Sequence, residues 1–135
     1  DYYKRVQGWD VLGAKVAQLL RENPGTLLLS HERDTISEMA YYARPWSAGA
    51  VWWNPQGLIT SHYALVTKMQ GKGNQDFIFI SREATLPVDM AESFLAVRRL
   101  ADLAVPVVPG WSLDYHVWHL QGFMGYPMKA AAPAR

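Results

Sequence analysis

The fold follows from the segment PGTLLLS, residues 24–30, in which a helix stop is followed at once by a short apolar run. Pro and Gly together end a helix, and an unbroken apolar run of this length is typical of a strand buried in a parallel sheet. Upstream, apolar residues recur at helical spacing over residues 10–23, with Asp10 as the expected cap. The order helix, stop, buried strand predicts a crossover unit and therefore an α/β fold.

The middle of the chain continues this alternation of helices and strands. Residues 35–38 (TISE) have the pattern of a capping box and predict a second helix, which Pro45 would end. Residues 50–53 (AVWW) and 76–81 (DFIFIS) predict two more buried strands, and residues 87–92 predict a short helix.

The last third of the chain predicts an antiparallel hairpin. Apolar and polar residues alternate loosely from Ser93, Pro109-Gly110 is a turn signal, and alternation resumes around Tyr115. We therefore expect a single-domain α/β fold over residues 1–128, followed by a frayed, Ala- and Pro-rich tail at residues 129–135. Its mixed sheet should combine parallel crossover units with a C-terminal antiparallel hairpin, with helices packed on it.

Composition excludes several classes of protein. The 135 residues are 50% hydrophobic and 19% charged, which excludes intrinsic disorder. The net charge of +1 lacks the basic excess of a nucleic-acid-binding domain. The absence of cysteine excludes disulfides, thiolate metal sites and cysteine nucleophiles. The chain opens on Asp1 without a signal segment, which leads us to expect that it is a piece of a longer protein.

Histidine spacing does not predict a metal site. Four histidines are present, and His116 and His119 form an HxxH pair. On a helix this pair would share one face, but on the predicted strand the two imidazoles point to opposite faces of the sheet. Ordinary half-exposed imidazoles are the expected outcome.

The best local candidate for a ligand site follows the first predicted strand. His31, Glu32 and Asp34 lie just beyond its carboxyl end, where open α/β sheets usually bind ligands. No glycine-rich phosphate-binding motif accompanies them. The alternative is that Asp34 and Glu38 stabilise the start of the next helix, because carboxylates interact favourably with a helix N-terminus.

Two serine–histidine neighbours raise a hydrolase hypothesis. Ser30-His31 and Ser61-His62 place a hydroxyl beside an imidazole, but neither serine lies in a GxSxG elbow.

Three arginines suggest either a contact with a phosphate or lipid headgroup, or a solvated strand edge: Arg82, Arg98 and Arg99.

A series of short motifs resembles one known family. They are residues 5–12 (RVQGWDVL) against R-x-x-G-W-x-x-L, 38–42 (EMAYY) against E-L-A-F-Y, 61–66 (SHYALV) against N-Q-Y-D-L-W, 76–80 (DFIFI) against D-A-L-x-V, and Phe94, Val97 and Leu100 against F-x-x-V-x-x-L. In this order they resemble the C-terminal extracytoplasmic domain of bacterial membrane glycosyltransferases. That family is related to dolichyl-phosphate-mannose–protein mannosyltransferases and to the lipid A aminoarabinose transferase. The likeness spans about residues 5–123.

One motif departs from the family pattern. In residues 61–66 only Tyr63 and Leu65 agree; His62 replaces an amide, Ala64 an acid and Val66 a tryptophan. A ligand contact that the family makes through that acid is therefore not transferred to this chain. The family's catalytic carboxylate lies in a periplasmic loop of the transmembrane part, so no catalytic residue is transferred either.

The resemblance implies a C-type glycosyltransferase that moves a sugar from a polyprenyl-phosphate donor to a lipid or protein acceptor at the periplasmic face of the inner membrane. This chain would be its noncatalytic domain, covering or gating the membrane-embedded site, with no cofactor of its own. Its partners would be the transmembrane part of the same polypeptide and the membrane surface, where Trp and Tyr rings are favoured. The entry around Arg5 and Trp9 would join the last transmembrane helix. The residues expected to bind a ligand or face the catalytic part are His31, Asp34, Trp52, Trp53, His62 and Tyr63.

Two rival functions remain open. A free-standing module for small ligands or carbohydrates would stack aromatic rings on sugar faces and bind sugar by itself. A small hydrolase built on His31 and Asp34 would lose activity on His31→Ala.

Overall fold

A computed structural model describes residues 2–53, 74–108 and 110–125. Its elements, in chain order, are α1 (Tyr2–Glu22), β1 (Thr26–Ser30), α2 (Arg33–Tyr42), β2 (Val51–Trp52), β3 (Asp76–Ser81), α3 (Val88–Ala91), β4 (Phe94–Val108) and β5 (Trp111–Phe123). The predicted tail at residues 129–135 lies outside the described residues.

The five strands form one mixed sheet in the order β2-β1-β3-β5-β4. β1 runs parallel to both β2 and β3, so Leu28 lies opposite Ile78. β5 is antiparallel to β3 on one side and to β4 on the other. The predicted α/β fold, with parallel crossover units and an antiparallel hairpin, is confirmed.

The apolar strands bury both of their faces. Alternate residues of β1 and β3 point to opposite sides of the sheet, so two separate cores form. The core on the helix side contains Leu12, Val16, Leu28, Met39, Ile78, Ile80, Val105, Tyr115 and Val117. The core on the other side contains Leu29, Val51, Trp53, Phe77, Phe79, Met90, Phe94, Leu120 and Phe123. This double burial explains why β1 and β3 read as continuous apolar runs.

Both long helices begin earlier than the sequence pattern predicts. α1 starts at Tyr2, so Asp10 lies exposed inside the helix and is not its cap. α2 starts at Arg33 with Glu32 at the N-cap position, and Thr35 is buried in the first turn. The predicted capping box at residues 35–38 is therefore wrong. The Asp34 carboxylate accepts the backbone N–H of Thr35 and so satisfies a free donor of the first turn, while Glu32 accepts the Thr35 hydroxyl.

The two long helices touch closely. A Cβ added at Gly13 of α1 would lie 2.5 Å from the Cβ and the carbonyl oxygen of Tyr42, at the end of α2. Only a glycine permits this approach of the two backbones. Within the described residues, no helix combines the length and the apolar character needed to span a membrane.

Candidate functional site

The three parallel strands end at the same edge of the sheet. Ser30, Trp52 and Ser81 are the last residues of β1, β2 and β3. The chain leaves β1 through His31 and leaves β3 through Arg82. We call this side of the molecule the carboxyl edge, and it is where the sequence pattern predicts a site.

Glu32 is the centre of the carboxyl edge. Its side chain is only 11% exposed. One carboxylate oxygen accepts hydrogen bonds from the Ser81 hydroxyl at 3.0 Å and from the Arg82 backbone N–H at 2.8 Å. The other accepts from the Thr35 hydroxyl at 3.0 Å. Glu32 thereby joins the end of β3 to the start of α2.

Arg82 bridges the two carboxylates of this edge. Its Nε lies 3.5 Å from Glu32, and its Nη2 lies 3.2 Å from both carboxylate oxygens of Asp34. Partial burial lowers the pKa of Arg82, but the two carboxylates outweigh this effect and leave the pKa raised. The positive charge of Arg82 is therefore compensated by the two carboxylates of Glu32 and Asp34.

His31 and Asp34 have different partners. His31 Nε2 lies 3.6 Å from Glu83, and the imidazole packs on the ring of Phe79. The Nδ1 atom of His31 is buried and has no hydrogen-bond partner among the described residues. The Ser30 hydroxyl donates to the carbonyl of Ile80 at 2.7 Å. The described partners of Ser30, His31 and Asp34 are therefore not those of a Ser–His–Asp triad, in which the serine contacts the histidine and the histidine contacts the aspartate.

A cavity of about 250 Å³ opens beside the Asp34–Arg82 pair. Its described walls come from α1, β4 and β5 and from the carboxyl edge: Gly8, Trp9, Leu12, Asp34, Arg82, Val105, Leu113 and Tyr115. Burial raises the pKa of Tyr115 by more than the nearby Arg82 charge and the hydrogen bond with Thr35 lower it, so this phenol stays protonated at neutral pH. The sequence does not predict Leu113 and Tyr115 as site residues. The alternation of the hairpin shows that they share one face of a strand, but it does not show that this face packs against the first half of α1.

The two adjacent tryptophans have different environments. Trp52 lies at the carboxyl edge, where its indole N–H donates to the carbonyl of His31 at 3.3 Å and the guanidinium of Arg33 lies over its ring. Trp53 is only 4% exposed and packs against Phe94 and Phe123. Trp53 therefore packs in the core, whereas the sequence pattern predicts it on a surface that binds a ligand or faces the catalytic part. Strand alternation explains the difference, since neighbouring residues face opposite ways.

The other two site candidates, His62 and Tyr63, lie outside the described residues. The hydroxyl–imidazole neighbour at Ser61 lies outside them too.

The HxxH pair lies on a strand, as predicted. In β5, His116 is opposite Ser81 and His119 is opposite Ile78. His116 Nδ1 lies 2.9 Å from the Asp102 carboxylate. The described ranges contain no group of three or more acidic, histidine or cysteine side chains placed to hold a metal ion.

Arg82 and Arg99 have different partners. Arg82 is held at the carboxyl edge, whereas Arg99 binds Asp102 and lies over the ring of Trp118. The hydrogen bond from His116, followed by that from Arg99, lowers the pKa of Asp102. Arg99 therefore belongs to a local ion-pair cluster on the hairpin, which agrees with the solvated-edge interpretation.

Comparisons with known proteins gave no match to any family model, to any curated protein or to any solved structure. Arguments about function therefore rest on the residues and on their placement in the fold.

Proposed function

We propose that this chain is an accessory extracytoplasmic domain of an integral-membrane C-type glycosyltransferase, an enzyme that moves a sugar from a polyprenyl-phosphate donor to a lipid or protein acceptor. The domain is noncatalytic and covers or gates the membrane-embedded active site. Its motif series supports this proposal, and one feature of the fold carries it further.

That feature is the meeting of the helical entry with the carboxyl edge. Gly8 and Trp9, from the R-x-x-G-W motif in α1, line the same cavity as Asp34 and Arg82. Under the proposal, residues before Trp9 lead to the last transmembrane helix. The carboxyl edge, which includes Trp52, then lies at the same end of the domain as this junction and contacts the catalytic part.

The contacts at this edge support a structural role for its charged groups. Glu32 accepts hydrogen bonds from Ser81, Arg82 and Thr35, and Asp34 is paired with Arg82. These contacts join the end of β3 to the start of α2. A domain that covers an active site benefits from such fixed contacts, because ordering a flexible surface when it docks on the catalytic part would cost free energy.

The remaining described motifs belong to the framework of the fold. Tyr42, from the motif at residues 38–42, closes on Gly13, and Ile78, from the β3 motif, is 1% exposed in the helix-side core. Phe94, from the last motif, is 4% exposed in the other core. These motif residues therefore serve the packing of this fold.

A pair of tryptophan variants in the full-length protein tests the proposal. Trp52→Ala removes the indole at the carboxyl edge, and we expect sugar transfer from a polyprenyl-phosphate sugar to fall at least about fivefold, equal to about 1 kcal/mol. Trp46→Ala is the matched control, because Trp46 lies against Arg21, at the far end of α1 from Trp9. Equal activity of both variants and the parent protein would count against the role of this edge. The coding sequence upstream of Asp1 gives an earlier check, since the proposal requires a series of membrane spans there.

A further inference from the structure

The cavity beside Asp34 and Arg82 combines apolar walls with one polar end. Trp9, Leu12 and Leu113 supply apolar wall, and Trp9 is only partly buried. The polar end is the ion pair of Asp34 and Arg82, whose side chains are 51% and 42% exposed. Cavities with mostly apolar walls and a few fixed polar groups are typical of sites for small molecules.

We propose that this cavity binds a small, uncharged polyol ring, of the size of one sugar residue. The proposal goes beyond the accessory role and does not depend on it, because it rests on the walls of the cavity alone.

The polar end suits neighbouring hydroxyl groups. The Asp34 carboxylate accepts hydrogen bonds and the Arg82 guanidinium donates them, and their contact at 3.2 Å holds the two groups side by side. A vicinal diol presents one donor and one acceptor at a similar separation. Both protein groups are planar and charged, and hydrogen bonds to charged groups are the stronger ones.

The apolar walls suit the other side of such a ring. A pyranose ring exposes C–H groups on its faces and hydroxyls at its rim. A partly buried tryptophan offers a flat apolar surface to one face, while Leu12 and Leu113 exclude water. The volume of about 250 Å³ lies just below the roughly 300–1,000 Å³ of typical ligand pockets, which fits one ring and not an oligosaccharide.

The local charge argues against the two main alternatives. Arg82 is already compensated by Asp34 and Glu32, so a phosphate group would approach two carboxylates together with one guanidinium. A hydrocarbon chain would remove water from the half-exposed ion pair and return no hydrogen bond to it. An uncharged ligand with hydroxyl groups avoids both costs.

The test is a titration of this chain, labelled with ¹⁵N, with a panel of methyl glycosides that includes glucoside, mannoside and galactoside. We expect a saturable shift of the Trp9 indole resonance with at least one glycoside and a Kd of about 1–10 mM. Trp9→Ala should weaken binding at least about tenfold, and the isosteric Asp34→Asn at least about threefold. Trp46→Ala is the control and should leave the Kd unchanged.

Three outcomes would overturn the proposal. The first is no saturable shift with any glycoside up to about 50 mM, which is well above the expected Kd. The second is glycoside binding that both Trp9→Ala and Asp34→Asn leave unaltered, with their folding checked by circular dichroism. The third is saturable binding of inorganic phosphate or 1-hexanol at this indole in place of glycosides. None of these outcomes bears on sugar transfer by the full-length protein, so failure here is distinct from failure of the accessory role.

Discussion

Glu32 contacts three elements, two of them through its carboxylate and the third through its backbone N–H. Its oxygens accept hydrogen bonds from Ser81 at the end of β3, from Arg82 just after it and from Thr35 in α2, while its own backbone N–H donates to Ser30 at the end of β1. A carboxylate that is 11% exposed is stable only when such donors replace the water it has lost. The position therefore requires both a charge and two acceptor oxygens.

Replacing Glu32 by glutamine tests this requirement. The amide NH₂ of Glu32→Gln would face a donor that the carboxylate now satisfies, so we expect the free energy of unfolding to fall by about 1–3 kcal/mol. Urea unfolding followed by circular dichroism measures it. Glu83→Gln is the matched control, because the Glu83 side chain is 67% exposed and should change stability by less than about 0.5 kcal/mol. Equal effects of the two variants would refute the bridging role of Glu32.

Asp102 makes the free energy of unfolding depend on pH in the acid range. Its pKa is lowered from 3.8 by the hydrogen bond from His116 and then by that from Arg99. A carboxyl with a lowered folded pKa stabilises the folded state above its unfolded pKa, and this contribution disappears as the pH falls through the folded pKa. We therefore expect wild type to exceed Asp102→Asn in urea midpoint at neutral pH. The difference should shrink as the pH drops below 3.8. A difference that stays constant from pH 7 to below pH 3 would contradict this assignment.

At the scale of elements, the contact of α1 with α2 depends on a missing side chain. Glycine inside a helix is normally replaced by alanine with a gain of about 1 kcal/mol. At Gly13 the new Cβ would meet backbone atoms of Tyr42 at 2.5 Å, and no rotation of a side chain relieves that contact.

We therefore expect Gly13→Ala to destabilise the protein by about 1–2 kcal/mol, against the propensity rule. The neighbouring exposed residue gives the control, since Ala14→Gly changes only helix propensity and should cost about 1 kcal/mol. Thermal unfolding of both variants measures the comparison. A Gly13→Ala variant that is more stable than wild type would show that the two helices are further apart.

The starts of the helices show where sequence patterns are insufficient. The sequence pattern predicts a helix that starts at Thr35, because the capping-box pattern begins there, whereas α2 starts at Arg33. The actual start uses Glu32, whose partners Ser81 and Arg82 lie about fifty residues further along the chain. Local patterns carry no information about such distant donors. By contrast, β3 was predicted with the bounds it has, because burial on both faces leaves an unambiguous apolar run.

At the scale of the whole molecule, topology was more predictable than the site. The alternation of helices and strands and the turn at Pro109-Gly110 were sufficient for a mixed sheet, and parallel strands then place His31 and Arg82 at one edge. Which side chains fill that edge depended on contacts between distant segments. The cavity needed Trp9 of α1 and Tyr115 of β5 to meet, and nothing in the sequence indicates that meeting.

The carboxyl edge connects the fold to the proposed function. The start of α1, the Asp34–Arg82 ion pair and Trp52 all lie at this edge. If this domain covers a membrane-embedded active site, its removal should affect the sugar-transfer reaction itself and not the insertion of the enzyme.

The most direct test is sugar transfer by the full-length membrane glycosyltransferase that the proposal requires, after deletion of residues 1–128. Transfer is measured in proteoliposomes at equal amounts of inserted protein, with a polyprenyl-phosphate sugar as donor. The account predicts a loss of turnover of at least about tenfold, which corresponds to about 1.4 kcal/mol in the barrier. Turnover equal to that of the intact protein would contradict it.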